Sequence, residues 1–223
     1  MSRYGWIRTS LSGPRFAPYL QACVNSYDRA IDLYWWNVDA SAGFYAPLHC
    51  LEVGLRNALH GELARYYHRA DWWTVCSPGA PGERMLRDAH SKTRVAVAVD
   101  GQAGQGGSDD IVAALPFGFW VSLLSRRNEV QMWRPALHRA FRPLYRGPRG
   151  DLHQHLDHLR LFRNRVMHHE PIHHRDLHAD RRRIYELVNY LSPDLGRELA
   201  GVDRLSEILA RFPLAPIGGN SEP

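Results

Sequence analysis

The chain has 223 residues, a hydrophobic content of 44%, a charged content of 23% and a formal net charge of +5. This length can bury a sizeable core, and the composition excludes a disordered or fibrous chain. No run of about 18 apolar residues occurs, so we expect no membrane partner. The N-terminal segment lacks the apolar stretch of a signal peptide, and the three cysteines follow no metal-ligand spacing. We therefore expect a cytoplasmic protein with reduced thiols.

Apolar residues recur at helical spacing along most of the chain, which predicts an all-α fold. We expect residues 1–15 to form an arm, residues 16–212 a single domain and residues 213–223 a disordered tail. Four glycines indicate a flexible loop at about 100–107. Ser108 can cap a short helix that begins at 109, and Ser192-Pro193 can start another. The remaining helices are predicted at 16–38, 41–68, 83–99, 117–125, 130–144, 151–168, 176–191 and 202–212.

The predicted helix 151–168 carries an arginine on its apolar face. At about 100° per residue, Arg163 lies about 20° from Leu152. The apolar stripe around it consists of Leu152, Leu156, Leu159 and Val166. Asn164 and His168 are four residues apart and share a neighbouring face. Because arginine is almost never buried alone, Arg163 needs a carboxylate or an anionic ligand.

The predicted helix 41–68 supplies a carboxylate in a similar position. Glu52 lies about 40° from Leu48, within a stripe formed by Leu48, Leu51, Leu55 and Leu59. Glu52 can pair with Arg163 on the other helix, or with Arg56 one turn further along its own helix. The sequence leaves both pairings open.

Arg163, Asn164 and His168 suit RNA cleavage without a metal, in which the 2′-hydroxyl attacks the adjacent phosphorus. Histidine has an unperturbed pKa of about 6.5 and can transfer protons near neutral pH. The guanidinium group matches phosphate oxygens and stays charged, and Asn164 can bind a phosphate oxygen or orient His168. Arg163 and His168 lie about 140° apart around an ideal helix. A distorted helix end or a second subunit must therefore bring them together.

The segment Arg163-Asn-Arg-Val-Met-His-His-Glu-Pro171 resembles the motif of the Abi-like (abortive infection) proteins of the HEPN superfamily. Two upstream stretches resemble the same family: Leu33-Tyr-Trp-Trp-Asn37 followed by residues 51–59, and Leu115-Pro-Phe-Gly-Phe-Trp-Val121. The resemblance implies a HEPN-like helical bundle, here with additional helices. It also implies a homodimer through the motif helix, and a metal-independent endoribonuclease that needs no cofactor.

The same resemblance assigns the catalytic roles to Arg163, Asn164 and His168, with RNA as the substrate. It implies a toxin or a phage-defence protein, with a cognate antitoxin or another regulator as a partner. His169 is a secondary candidate for the proton-transfer group. We favour His168 because it shares a helix face with Asn164.

Two other functions compete with ribonuclease activity. A non-catalytic HEPN-type module could bind RNA or protein, with Arg163 as an interior structural charge. A zinc site could be drawn from His168, His169, His173 and His174, although no usual ligand spacing supports it.

Two further groups of residues have more than one interpretation. Arg181, Arg182 and Arg183 form either a solvated helix face or weak contacts to RNA phosphates. The pair Trp72-Trp73 lies in a predicted loop and is a candidate docking surface, whereas the other tryptophans are expected to anchor the core or a dimer.

Overall fold

The structure is a computed structural model that describes residues 4–99, 107–141 and 143–213. Within these ranges the chain forms eleven α-helices and no strand, which confirms the predicted all-α class. None of the described helices is long and apolar enough to cross a bilayer. The helices are α1 (Gly5–Ser10), α2 (Gly13–Ala22), α3 (Tyr27–Gly43), α4 (Tyr45–Tyr67), α5 (Gly79–Val99), α6 (Ser108–Ala114), α7 (Phe117–Leu123), α8 (Arg149–Met167), α9 (Leu177–Leu191), α10 (Pro193–Val202) and α11 (Leu205–Ala210).

The N-terminal region differs from the prediction. The expected arm contains α1 and the start of α2, and Ile7 of α1 is only 2% exposed. The single helix expected at 16–38 is two helices, because the backbone turns at Val24 and Asn25, which have φ values of 51° and 61°. The loop expected at about 100–107 and the tail expected at 213–223 lie outside the described residues, apart from Gly107 and Pro213.

Residues 126–141 are also less regular than the amphipathic helix expected there. Two short 3-10 turns, Arg126–Asn128 and Leu137–Phe141, flank a π-helical turn at Glu129–Trp133. Met132, Leu137 and Phe141 are nevertheless fully buried. The apolar spacing therefore predicts which residues are buried, but it does not predict the local hydrogen-bond pattern.

The central helix of the bundle is α4. It packs against α3, α7, α9 and α10. One face of α4 is buried along its whole length, and it consists of Pro47, Leu48, Leu51, Leu55, Leu59 and Leu63. The leucine stripe expected from the sequence is thus the inner face of the hub helix.

Helix α8 packs against α7 and α9, and its Phe162 ring meets Phe44 edge-on at 4.7 Å between ring centroids. Its buried residues are Leu152, Leu156, Leu159, Phe162 and Val166. Phe162 shifts the centre of this buried face by about 15° around the helix, so that Arg163 lies about 40° from the centre. Arg163 is therefore away from the middle of the face, between Leu152 and Leu156.

The tandem tryptophans do not form the docking surface that we considered. Trp72 is fully buried, and its Nε1 donates a hydrogen bond to His60 Nδ1 at 3.3 Å. Trp73 packs against the core beside it, with the two ring systems 5.5 Å apart. Trp35 of α3 and Trp6 of α1 are exposed instead, with 53% and 43% of their surfaces accessible.

Candidate functional site

An ion pair between α4 and α8 forms the centre of the candidate site. Arg163 Nε donates to Glu52 Oε2 at 3.1 Å. The alternative partner, Arg56, instead donates from Nε to Asn57 Oδ1 at 3.2 Å. The side chains of Glu52 and Arg163 are 26% and 33% exposed. The predicted pairing across the helices is therefore present, but the pair is half-buried and not enclosed.

Only part of the Arg163 guanidinium is used by Glu52. Among the described residues, its Nη1 and Nη2 groups make no hydrogen bond. Each of these groups carries two N–H donors, and together they form the edge that binds phosphate or carboxylate in a bidentate manner. Because the side chain is one-third exposed, this edge is accessible to an anion from solution.

Helix α8 ends in a Schellman motif around the motif histidines. His169 N donates to Val166 O at 3.1 Å, and Glu170 N donates to Arg165 O at 2.9 Å. His169 has a left-handed backbone with φ 56°, a conformation that glycine usually occupies at this place. The helix is regular through Met167, so it does not unwind to bring Arg163 and His168 together. Within one chain they remain about 140° apart.

Asn164 and His168 occupy the outer face of α8. Asn164 is partly exposed and His168 exposed, and neither side chain makes a hydrogen bond to the described residues. Leu161 lies within about 60° of both around the helix and is 53% exposed. His169 lies beyond the end of the helix, which favours His168 as the histidine that acts together with Asn164.

Two residues that the sequence did not single out fix the chain that follows the motif. Asn37 of α3 is 4% exposed, and its Oδ1 accepts hydrogen bonds from Ile172 N at 2.7 Å and His173 N at 3.2 Å. Arg15 of α2 donates from Nη1 to His169 O at 3.1 Å. Asn37 lies in one of the stretches that resemble the Abi-like family, whereas nothing in the sequence marks Arg15.

A buried carboxylate behind α8 was also missed. Asp180 of α9 is 2% exposed and accepts a hydrogen bond from Arg175 Nε at 2.9 Å. His158 Nε2 lies 2.8 Å from Asp180 Oδ1, and the Arg175 guanidinium lies 4.9 Å from the Phe162 ring centroid. This cluster attaches the loop after the motif to both α8 and α9.

The arginine triplet of α9 is mostly occupied by ion pairs inside the bundle. Arg181 pairs with the buried Asp203 at 2.8 Å, and Arg183 lies 3.7 Å from Asp180. Arg182 is exposed and makes no ion pair with the described residues. All three stay candidates for the phosphate contacts that we considered, and Arg182 is the one without a carboxylate partner among the described residues.

The histidines proposed as zinc ligands do not gather into one cluster. Among the described residues, no three or more His, Cys, Asp or Glu side chains lie close enough together to hold a metal ion. Burial lowers the pKa of His173 and His174 below the usual 6.5. A positive charge on His174 lowers the pKa of His173 further, and the charges of Arg165 and Arg175 lower the pKa of His174. Both imidazoles are therefore mainly neutral at pH 7.

Comparisons of the chain with protein-family models, with curated proteins and with solved structures found no match. The interpretation of the site therefore depends on its own geometry and on the resemblance of the motif.

A double-mutant cycle on Glu52→Gln and Arg163→Gln should give a coupling free energy of about 1 kcal/mol, since the pair is half-buried. Urea denaturation of the two single variants and the double variant measures this value. The matched control is the cycle on Asp194→Asn and Arg197→Gln, a pair on α10 whose side chains are 82% and 76% exposed. Its coupling should not exceed about 0.5 kcal/mol. Equal couplings in the two cycles would contradict the expected role of the α4–α8 pair.

Replacing Asn37 with alanine should lower the free energy of unfolding by about 2 kcal/mol, because two buried amide groups lose their acceptor. Urea denaturation measures the loss, with Asn57→Ala on the exposed side of α4 as the control. We also expect faster hydrogen exchange at the Ile172 and His173 amides in Asn37→Ala. Unchanged exchange at these two amides would show that Asn37 does not hold this segment.

Proposed function

We propose that the protein is a metal-independent endoribonuclease of the Abi-like/HEPN type. The supporting observation is the state of Arg163, which Glu52 orients through Nε while its Nη1 and Nη2 groups remain accessible. An arginine held in this way can bind a phosphate without first giving up its internal partner. A purely structural ion pair has no need of an accessible outer edge.

The proposed reaction is an internal transesterification of RNA. The 2′-oxygen forms a bond to the adjacent phosphorus, and the bond from phosphorus to the 5′-oxygen of the next nucleotide breaks. A base removes the proton of the 2′-hydroxyl, and an acid gives a proton to the leaving 5′-oxygen. His168 supplies proton transfer, Arg163 stabilises the charge on the phosphorane oxygens, and Asn164 binds a phosphate oxygen or orients His168. The products are a 2′,3′-cyclic phosphate and a 5′-hydroxyl.

A second copy of the chain completes the proposed site. Arg163 and His168 point in different directions on a regular helix, so one chain does not direct both at the same phosphate. In the proposed homodimer, two copies of α8 pack side by side, and Arg163 of one chain lies near His168 of the other. The exposed Leu161 beside Asn164 and His168 provides an apolar contact for such a homodimer.

In its biological role, we propose a cytoplasmic toxin or phage-defence protein that degrades RNA. Such an activity must be restrained while the cell grows, so an antitoxin or another regulator belongs to the proposal. The accessible edge of Arg163 is the natural target for such a partner, because an acidic side chain placed there would exclude phosphate.

The proposal predicts that the purified wild-type protein cleaves RNA in the presence of EDTA. His168→Ala should lower kcat about 10²- to 10⁴-fold, since general acid–base catalysis contributes about that much. Arg163→Ala should lower kcat by about 10²-fold or more. Arg163→Lys should recover little, because an ammonium group lacks the bidentate edge. Gel electrophoresis of labelled RNA fragments, with identification of their 3′ ends, measures these effects.

The matched controls are His178→Ala on α9 and Arg29→Ala on α3, which remove exposed residues of the same types from outside α8. Both should cleave RNA as the wild type does, and His169→Ala should lose less activity than His168→Ala. If the wild-type protein cleaves no RNA but still binds it, the non-catalytic HEPN-type module is the better description. If His168→Ala and Arg163→Ala cleave as well as the controls, the proposed site is wrong.

The proposed dimer has its own test. Leu161→Asp should shift the protein from dimer to monomer in sedimentation velocity, because a charge enters the apolar contact on both sides of the two-fold axis. Val202→Asp, at a valine that is 67% exposed at the end of α10, is the control and should leave the dimer intact. A wild-type protein that is monomeric at every concentration tested would refute the shared site.

A further inference from the structure

A cavity of about 290 Å³ opens where α8 meets α7 and the start of α5. Pro78, Pro81 and Met85 form its apolar wall, together with Gly118 and Val121 of α7. Arg160 passes close to α7 at Gly118, where a Cβ atom would lie 3.4 Å from the Arg160 Cδ atom, in ordinary van der Waals contact.

The polar side of this cavity has the composition of an anion site. Arg127 lies at its rim and makes no ion pair with the described residues. Arg160 donates from Nε to Asp157 Oδ1 at 2.7 Å, and its Nη1 and Nη2 groups make no hydrogen bond to described residues. Asp157 is the one carboxylate in the lining, and its charge is matched by Arg160. Because Arg127 has no such carboxylate partner, the lining of the cavity carries a net positive charge.

Ser125 is one of the residues that line the cavity. Its Oγ is buried and makes no hydrogen bond to the described residues. A buried hydroxyl without a partner costs about 1–3 kcal/mol, so an acceptor oxygen of a ligand would recover this cost. An anion with several oxygen atoms would accept a hydrogen bond from Ser125 and from the two arginines at once.

His153 completes the lining as a neutral group. Burial lowers its pKa below the usual 6.5; Asp157 opposes this shift, and Arg149 and Arg160 increase it. Arg149 itself donates from Nη1 to Leu124 O and lies 3.5 Å from Glu129 Oε2. At pH 7 the imidazole can therefore donate a hydrogen bond to an anion from its N–H group.

The cavity lies on the same face of α8 as Asn164 and His168, two of the three proposed catalytic residues. His153, Asp157, Arg160, Asn164 and His168 all fall within about 80° of each other around the helix. Arg160 and His168 are eight residues apart, which is about 12 Å along the helix axis. A strand that crosses the catalytic face can thus continue along α8 into the cavity.

We infer that this cavity is a second phosphate subsite, which binds an RNA backbone phosphate a few nucleotides from the one that is cleaved. Arg127 and Arg160 hold the phosphate oxygens, and Ser125 donates its hydroxyl hydrogen to one of them. The inference rests on the proposed ribonuclease function and extends it from a reacting centre to a substrate path.

Binding of a fluorescein-labelled single-stranded RNA, followed by fluorescence anisotropy at several salt concentrations, tests the subsite on the full chain. Arg127→Ala should raise Kd about tenfold, as expected for the loss of a charge-assisted hydrogen bond, and should reduce the salt slope by about one. Ser125→Ala should also raise Kd while leaving the melting temperature equal or higher, since it removes an unpartnered buried hydroxyl. If wild-type RNA cleavage occurs, both variants should raise KM with little change in kcat.

The matched control is Arg126→Ala, which removes the neighbouring arginine from outside the cavity. The inference is overturned if Arg127→Ala and Ser125→Ala bind RNA no more weakly than Arg126→Ala does, or if the wild-type protein binds no RNA. It is also overturned if Arg127→Ala loses binding of inorganic phosphate but not of RNA, because the cavity then takes a free anion. If RNA binding follows the expected order but no RNA is cleaved, the subsite stands and the ribonuclease proposal fails.

Discussion

The ion pair between Glu52 and Arg163 is the interaction on which the candidate site depends, because it joins the hub helix α4 to the motif helix α8. Its degree of burial is decisive. A fully buried pair would pay a large desolvation cost and close off the guanidinium, and a fully exposed pair would barely restrain it. At one-quarter to one-third exposure, Glu52 can set the direction of Arg163 without using the edge that binds anions. The adjacent contact of Phe44 with Phe162 holds the two helices at this spacing.

The position of His168 is set by the backbone and not by a side-chain partner. The Schellman motif ends α8 at a defined residue, and contacts from α2 and α3 hold the chain beyond it. Such support from rigid elements is what a catalytic group needs in order to keep its orientation. It also means that the angle between Arg163 and His168 is a property of the fold. Convergence of the two groups therefore requires another molecule, and the proposed homodimer supplies one.

The sequence predicted those parts of the structure that follow from a local pattern. Helices α4, α8 and α9 each bury one face at a spacing of 3.6 residues, so their extents were close to the prediction. The turn between α2 and α3 was missed because Val24 and Asn25 adopt left-handed geometry without a glycine or proline to mark it. The contacts of Asn37 and Asp180 join residues far apart in the chain, and the helical spacing of apolar residues cannot predict such contacts. The sequence predicted Arg163 too close to the middle of the buried face, because the predicted apolar stripe of this helix did not include Phe162.

The outer surface of α8 suggests why a polymeric anion suits this protein better than a small ligand. Arg160 and Arg163 are each held at Nε by one carboxylate, and each keeps its outer nitrogens free of hydrogen bonds to the described residues. They lie about one turn apart, on faces separated by about 60°. A flexible chain of phosphates can meet both in succession. In the proposed function, the two arginines would be successive contacts along a strand, with the reacting centre at one end.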